Sequence, residues 1–172
     1  MEPWLKLDSA SADAARELLR TCCGSNAWIE RMIARRPFGR TEAMLTAARD
    51  EWFALPPEDW REAFSHHPMI GDRAALERRF SSTRHLSQQE QAGVSASRGH
   101  VLDALADGNR AYLEKFGYIF IVRAAGRTAE EMLGILRTRL KHDPAMEIRI
   151  AAAEHAAITE RRLLALSAPT NS

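Results

Sequence analysis

A chain of 172 residues, 45% apolar and 27% charged, has the make-up of one globular domain large enough to bury a core, so a single domain over 1–172 is expected. A net charge of +1 lacks the electrostatic footprint of a nucleic-acid binder, and no run approaches the ~20 apolar residues of a membrane helix. Met1-Glu2-Pro3-Trp4 has neither the basic nor the apolar region of a secretory leader, and Ala168–Ser172 carries no peroxisomal tripeptide, which makes the cytoplasm the expected location.

In chain order the punctuation reads as helix after helix. Ser9 or Ser11 can cap a helix running to Cys23, with Gly24 as its stop. Cys22 and Cys23 are neighbours, a poor geometry for a disulfide and no zinc spacing, so both are expected as packed thiols. Ser25 opens a second helix with Trp28 and Met32 on one face, stopped before Pro37. Thr41 opens a third, with Met44, Leu45, Ala48 and Trp52 inward, broken by Pro56-Pro57. A short helix follows with Trp60, Phe64 and His67 on one face. His67 precedes Pro68, which disfavours helical backbone at His67 and sets it at a helix end.

Ala74 to Phe80 has the pattern of another short helix, and Ser81 to His85 that of a loop. Ser87-Gln88-Gln89-Glu90 has the form of a capping box and opens a long helix ending near Phe116, with Gly117 as its stop. Tyr118–Val122 is a β-favouring apolar run with no partner strand, expected as a buried extended segment. Thr128-Ala129-Glu130-Glu131 is a second capping box, for a helix to Lys141. Asp143-Pro144 then supplies a cap and a first-turn proline for a last helix reaching about Leu166. The expected fold class is all-α, a compact bundle of about eight helices.

Chemistry is sought in polar groups on apolar faces, because a buried charge is costly without a partner. On the last helix Ile148, Ala151, His155, Ile158 and Arg162 follow three- and four-residue steps, which turns Arg162 inward and leaves Arg161 to solvent. Arg162 is either an arginine whose stem packs while its head reaches water, or one held for a carbonyl-rich or anionic ligand. Glu90 shares a stripe with Val94, Ser97, Val101 and Leu105. It either completes the capping box or faces a ligand. His67 is either a packed helix-end residue or a proton-handling group. The histidines show no metal spacing, and no Cys-x-x-Cys, phosphate loop or nucleophile elbow occurs, so metal catalysis is not expected and nucleotide use and acyl-enzyme chemistry gain no support. Periodicity alone thus ends at a helical domain with His67, Glu90 and Arg162 as inward polar candidates.

Those positions lie in ordered blocks. They are Cys22-Cys23-Gly24-Ser25 with Trp28, Arg36-Pro37-Phe38, Phe64-Ser65-His66-His67-Pro68-Met69-Ile70-Gly71-Asp72 and Ser87-Gln88-Gln89-Glu90-Gln91-Ala92-Gly93. Asn109, Tyr112 and Phe116–Val122 follow, then Leu140, Asp143, Glu147, Glu154, Ile158, Arg162 and Leu163. In these blocks the chain resembles the OHCU decarboxylase family, OHCU being 2-oxo-4-hydroxy-4-carboxy-5-ureidoimidazoline. The resemblance implies His67, Glu90 and Arg162 as catalytic residues. It implies substrate contacts from Pro68, Ser87 and Gln91 and from the backbone of Phe120, Ile121 and Val122. Ile119 stands where the family often has proline and His142 where asparagine is common; neither removes a chemical group.

The activity so implied is decarboxylation of this ureidoimidazoline to (S)-allantoin in urate breakdown. The substrate's own ring C=N bond serves as electron sink, which is why the resemblance implies no cofactor. It also implies a homodimer, although no heptad seam specifies one. A non-catalytic helical interaction module is the contrasting reading, in which His67 would be structural.

Overall fold

The computed structural model describes residues 1–69, 73–80 and 88–167, with the side chains of 88–97 outside that description. Among the described residues there are nine helices and no strand. The all-α expectation therefore holds, with one more helix than expected. The extra helix is the first, α1 (Pro3–Ser9), which starts at a first-turn proline and lacks a side-chain cap. The chain forms two compact units, Met1–His67 with Ile148–Ser172, and Pro68–Glu147.

In the first unit, α2 (Ala12–Cys22) begins where the Ser11 side chain accepts from the Ala14 N–H at 3.2 Å. In α3 (Asn26–Ala34) Ser25 does the same for Trp28 at 3.2 Å. Such caps satisfy N–H groups that a helix leaves without partners. α4 (Thr41–Phe53) buries Met44, Ala47, Ala48 and Trp52. α5 (Pro57–Ser65) starts at Pro57 and buries Trp60, Ala63 and Phe64.

Three indoles stitch these helices together. Trp28 Nε1 donates to the Ala48 carbonyl at 3.0 Å, Trp52 Nε1 to that of Ala152 at 2.9 Å, and Trp60 Nε1 to that of Trp52 at 2.9 Å. A buried indole needs such a partner, and each bond fixes a helix-to-helix register that apolar contact alone leaves loose. Trp28, Phe64, Leu7, Leu19, Met32, Met44 and Leu163 are fully buried around them. Cys22 and Cys23 are free and buried, as expected of packed thiols.

The second unit holds α6 (Arg73–Phe80), α7 (Gln88–Phe116) and α8 (Ala129–Arg139). Arg73 ties α6 to α7 by donating to the Gly99 carbonyl at 2.8 Å and pairing with Asp103. Gly117, at φ 80°, stops α7 in a conformation that side chains rarely adopt. Residues 118–124 then run as neither helix nor strand, with Tyr118 and Ile121 buried and Ile119, Phe120 and Val122 half-buried. Thr128 and Glu131 form the full capping box of α8. The last helix, α9 (Pro144–Ala165), starts where Asp143 Oδ1 accepts from Met146 N–H at 3.0 Å. The expected capping box at Ser87 and the loop at Ser81 to His85 lie outside the described residues.

Candidate functional site

His67 stands just beyond the last turn of α5. His66 is the C-cap of that helix, and the His67 N–H still reaches the Phe64 carbonyl at 3.2 Å before the chain leaves through Pro68. The proline thus does what its position requires, and His67 is left half-buried at a helix end. Its imidazole meets the ring of His155 edge to face, with centroids 4.8 Å apart and planes at 90°.

His155 belongs to the buried ridge of α9. Its ring stacks on the Trp52 indole at 4.6 Å and 17°, and Nδ1 lies 3.3 Å from the Thr159 hydroxyl. Its Nε2 is buried and, among the described residues, has no hydrogen-bond partner.

A cleft of about 530 Å³ opens beside these rings, lined by Arg20, Thr21, Gly24, His66, His67, Arg162, Ala165 and Leu166. Among the described residues the lining carries two arginines and no carboxylate, a charge balance suited to an anionic or carbonyl-rich ligand. Arg20 is engaged by Asn26 Oδ1 at 2.9 Å and by Glu17 at 3.7 Å. Among the described residues, the guanidinium of Arg162 makes one hydrogen bond, to the Cys22 carbonyl at 3.4 Å, and no ion pair. Its charge is therefore available to a ligand.

The Gly24 backbone lies against His66. A Cβ built there would come within 2.5 Å of the His66 Cγ, so the close approach requires glycine.

Electrostatics follow from this packing. Burial, then the charge of Arg162, then His66 push the His67 imidazole down to about 4. Burial, then His67 and Arg162 push His155 down to about 3. Both rings are neutral at pH 7 and offer nitrogens as hydrogen-bonding groups rather than positive charges. Burial likewise pushes the thiols of Cys22 and Cys23 up, to about 11 and about 12.

Arg162 requires a correction. Sequence periodicity turned it inward, whereas the structure leaves it exposed, as it does Arg161. The buried ridge of α9 runs through Ile148, Ala151, Ala152, His155, Thr159 and Leu163. At 3.6 residues per turn Arg162 still falls on the side of that ridge, two turns past His155, but it stands in the last turn of α9. At that helix end its side chain is exposed and lines the cleft.

The remaining expected residues divide. Pro68 is exposed directly after His67. Glu90, Ser87 and Gln91 lie outside the residues whose side chains are described. Phe120, Ile121 and Val122 belong to the second unit. Among the described residues no hydrogen bond uses their backbone N–H groups, in keeping with a segment that no second strand occupies.

That segment is held from behind by a buried polar network. Arg139 donates Nη1 to the Ile121 carbonyl and Nε to Glu147 Oε1, both at 2.6 Å. Its guanidinium lies 4.7 Å from the centre of the Phe120 ring. The Tyr112 hydroxyl donates to the same Glu147 oxygen at 2.6 Å, and His142 Nδ1 lies 2.9 Å from the other. Burial and the bond to Glu147 raise the pKa of the Tyr112 hydroxyl, which stays a donor.

Sequence reasoning gave no role to His155, Arg139 or Glu147. A signal existed for two of them. His155 stands two turns before Arg162 on the same side of α9. Arg139 continues the buried ladder Met132, Leu136 of α8.

Residues 8–164 match the profile of the family described as OHCU decarboxylase. The chain is 38% identical over 148 residues to the uric acid degradation bifunctional protein TTL of Arabidopsis thaliana; the match covers 86% of this chain and 45% of that protein. It thus spans less than half the length of that relative. A crystal structure of OHCU decarboxylase in the presence of (S)-allantoin superposes with a TM-score of 0.68 at 32% identity, covering 90% of this chain and 96% of that one. A crystal structure of (S)-allantoin synthase superposes with a TM-score of 0.69 at 17% identity, over 95% of this chain and 53% of that one, a likeness of fold.

Proposed function

The chain belongs to the OHCU decarboxylase family, and we propose that it converts 2-oxo-4-hydroxy-4-carboxy-5-ureidoimidazoline to (S)-allantoin and CO2 in urate breakdown. One observation carries the reading furthest: His67 and Arg162, drawn from sequence blocks far apart, line one cleft.

The chemistry fits that cleft. The bond from the ring carbon to the carboxylate breaks, CO2 leaves, and the electron pair moves into the neighbouring ring C=N bond. A proton added to one face of the resulting intermediate sets the configuration of the product. His67, neutral at pH 7, accepts the proton of the substrate hydroxyl and governs its redelivery. Arg162 meets carbonyl oxygens on which negative charge builds. A salt bridge confined to the departing carboxylate would stabilise the ground state and oppose the reaction.

Glu90, with Ser87 and Gln91, takes the ureido and ring N–H groups. Pro68 and the backbone of Phe120, Ile121 and Val122 complete the contacts. Within this reading the protein works as a single-domain cytoplasmic homodimer on a small molecule, with no metal or cofactor. Among the described residues no helix is long and apolar enough to cross a membrane.

The test is circular dichroism recorded during enzymatic urate oxidation with the preceding hydrolase present. Adding this protein accelerates the appearance of optically active allantoin. An unchanged slow, racemic decay would remove the decarboxylase reading.

A further inference from the structure

We propose that His155 is a positioning residue whose ring forms the platform that fixes the orientation of His67 toward the cleft. The proposal rests on the decarboxylase reading for its kinetic test and on geometry for its argument.

His67 lies beyond the end of α5, in a bend, with no helix of its own to limit its side chain. Among the described residues its ring makes no hydrogen bond, and the ring of His155 is its one aromatic neighbour. His155, by contrast, is immobilised on three sides by helices. Trp52 of α4 stacks on it, Phe64 of α5 tilts against it at 5.7 Å, and Thr159 of α9 holds Nδ1. Trp52 is itself anchored to α9 through the Ala152 carbonyl.

An edge-to-face contact has a preferred geometry as well as an attraction, so a fixed ring orders the ring standing on it. Among the described residues no group claims either His67 nitrogen, which leaves both to the substrate. The arrangement differs from the common device of orienting an imidazole through a hydrogen bond to one nitrogen. A productive constellation needs its reacting groups held to within a fraction of an ångström, which is what such a platform supplies.

Two substitutions separate platform from filler. His155→Phe keeps a flat ring but loses the bond to Thr159, whereas His155→Leu fills the space without a face. For His155→Phe we expect a lower unfolding midpoint and a kcat within about threefold of wild type. For His155→Leu we expect kcat to fall at least tenfold with KM changed less than about threefold, the mark of lost orientation rather than lost binding.

Proton NMR supplies a readout independent of turnover. An NOE connects the ring protons of His67 and His155 in wild type, and the His67 resonances shift in His155→Leu far more than in His155→Phe. Equal kcat in both variants overturns the platform role, as does absence of the NOE. If wild type shows no turnover, the decarboxylase reading fails, and the NOE and ring resonances still decide the positioning role. If His155→Leu does not fold, the NOE together with the kcat of His155→Phe decides it.

Discussion

Consider removing the charge of Glu147 by Glu147→Gln. Glu147 is fully buried and accepts from three groups, Arg139 Nε and the Tyr112 hydroxyl at 2.6 Å and His142 Nδ1 at 2.9 Å. The Arg139 side chain is only 5% exposed. An amide leaves the guanidinium in the interior with the Ile121 carbonyl and a tyrosine hydroxyl as its partners. Breaking a buried pair from one side costs about 3–5 kcal/mol, because a charge stays behind without its counter-charge. Arg139→Met should cost a similar amount and also release the Ile121 carbonyl. The double variant should cost less than the sum by about 2 kcal/mol or more, since no stranded charge remains.

Urea unfolding of the four proteins gives the cycle, and deuterium exchange at residues 118–122 reads the loosening of the segment in the same samples. Single losses under about 1 kcal/mol, the range of an exposed surface pair, would refute the claim that this network anchors the segment.

Three further outcomes follow from the packing in the first unit. His155 is held neutral, with its folded value depressed to about 3, so the unfolded chain binds more protons below pH 6.5. Its stabilising contribution is complete above about pH 6.5 and declines by up to about 1.4 kcal/mol per pH unit as pH falls toward 3. Urea midpoints at pH 7, 6 and 5 should fall less steeply in His155→Phe than in wild type; parallel slopes would contradict this. Gly24→Ala forces the His66 ring aside, at a cost of about 1–3 kcal/mol from overpacking. It should lower turnover because both residues line the cleft, and unaltered stability and turnover would count against the close approach. The two thiols, buried and raised to about 11 and about 12, should stay unreactive to a thiol reagent at pH 8 until the protein unfolds; rapid native-state reaction would show them to be accessible.

Much of the helical architecture was legible because its signals are local. Ser11, Ser25 and Thr128 each cap a helix within three residues of themselves, and Gly117 and Pro144 mark their boundaries in the sequence. The first helix escaped because Glu2 supplies no cap and only Pro3 marks the start. His67 was legible from Pro68, which sets its backbone.

The surroundings of His67 were harder to read. A lone histidine mid-helix carries no sign that Trp52, over a hundred residues earlier, will stack on it. Arg139 drew no attention because its partners Tyr112, Ile121 and Glu147 converge only in three dimensions. Arg162 was assigned the right element and the wrong exposure, since periodicity sets a helical face but does not tell which turns of it are covered.

The proposed function requires His67 to act on substrate in the cleft it shares with Arg162. The most direct test is turnover of wild type and His67→Ala side by side in the urate-oxidation assay, with far-UV circular dichroism confirming that both are folded. The proposed role of His67 predicts fast formation of optically active allantoin by wild type and its loss in folded His67→Ala. Undiminished formation by His67→Ala would contradict it.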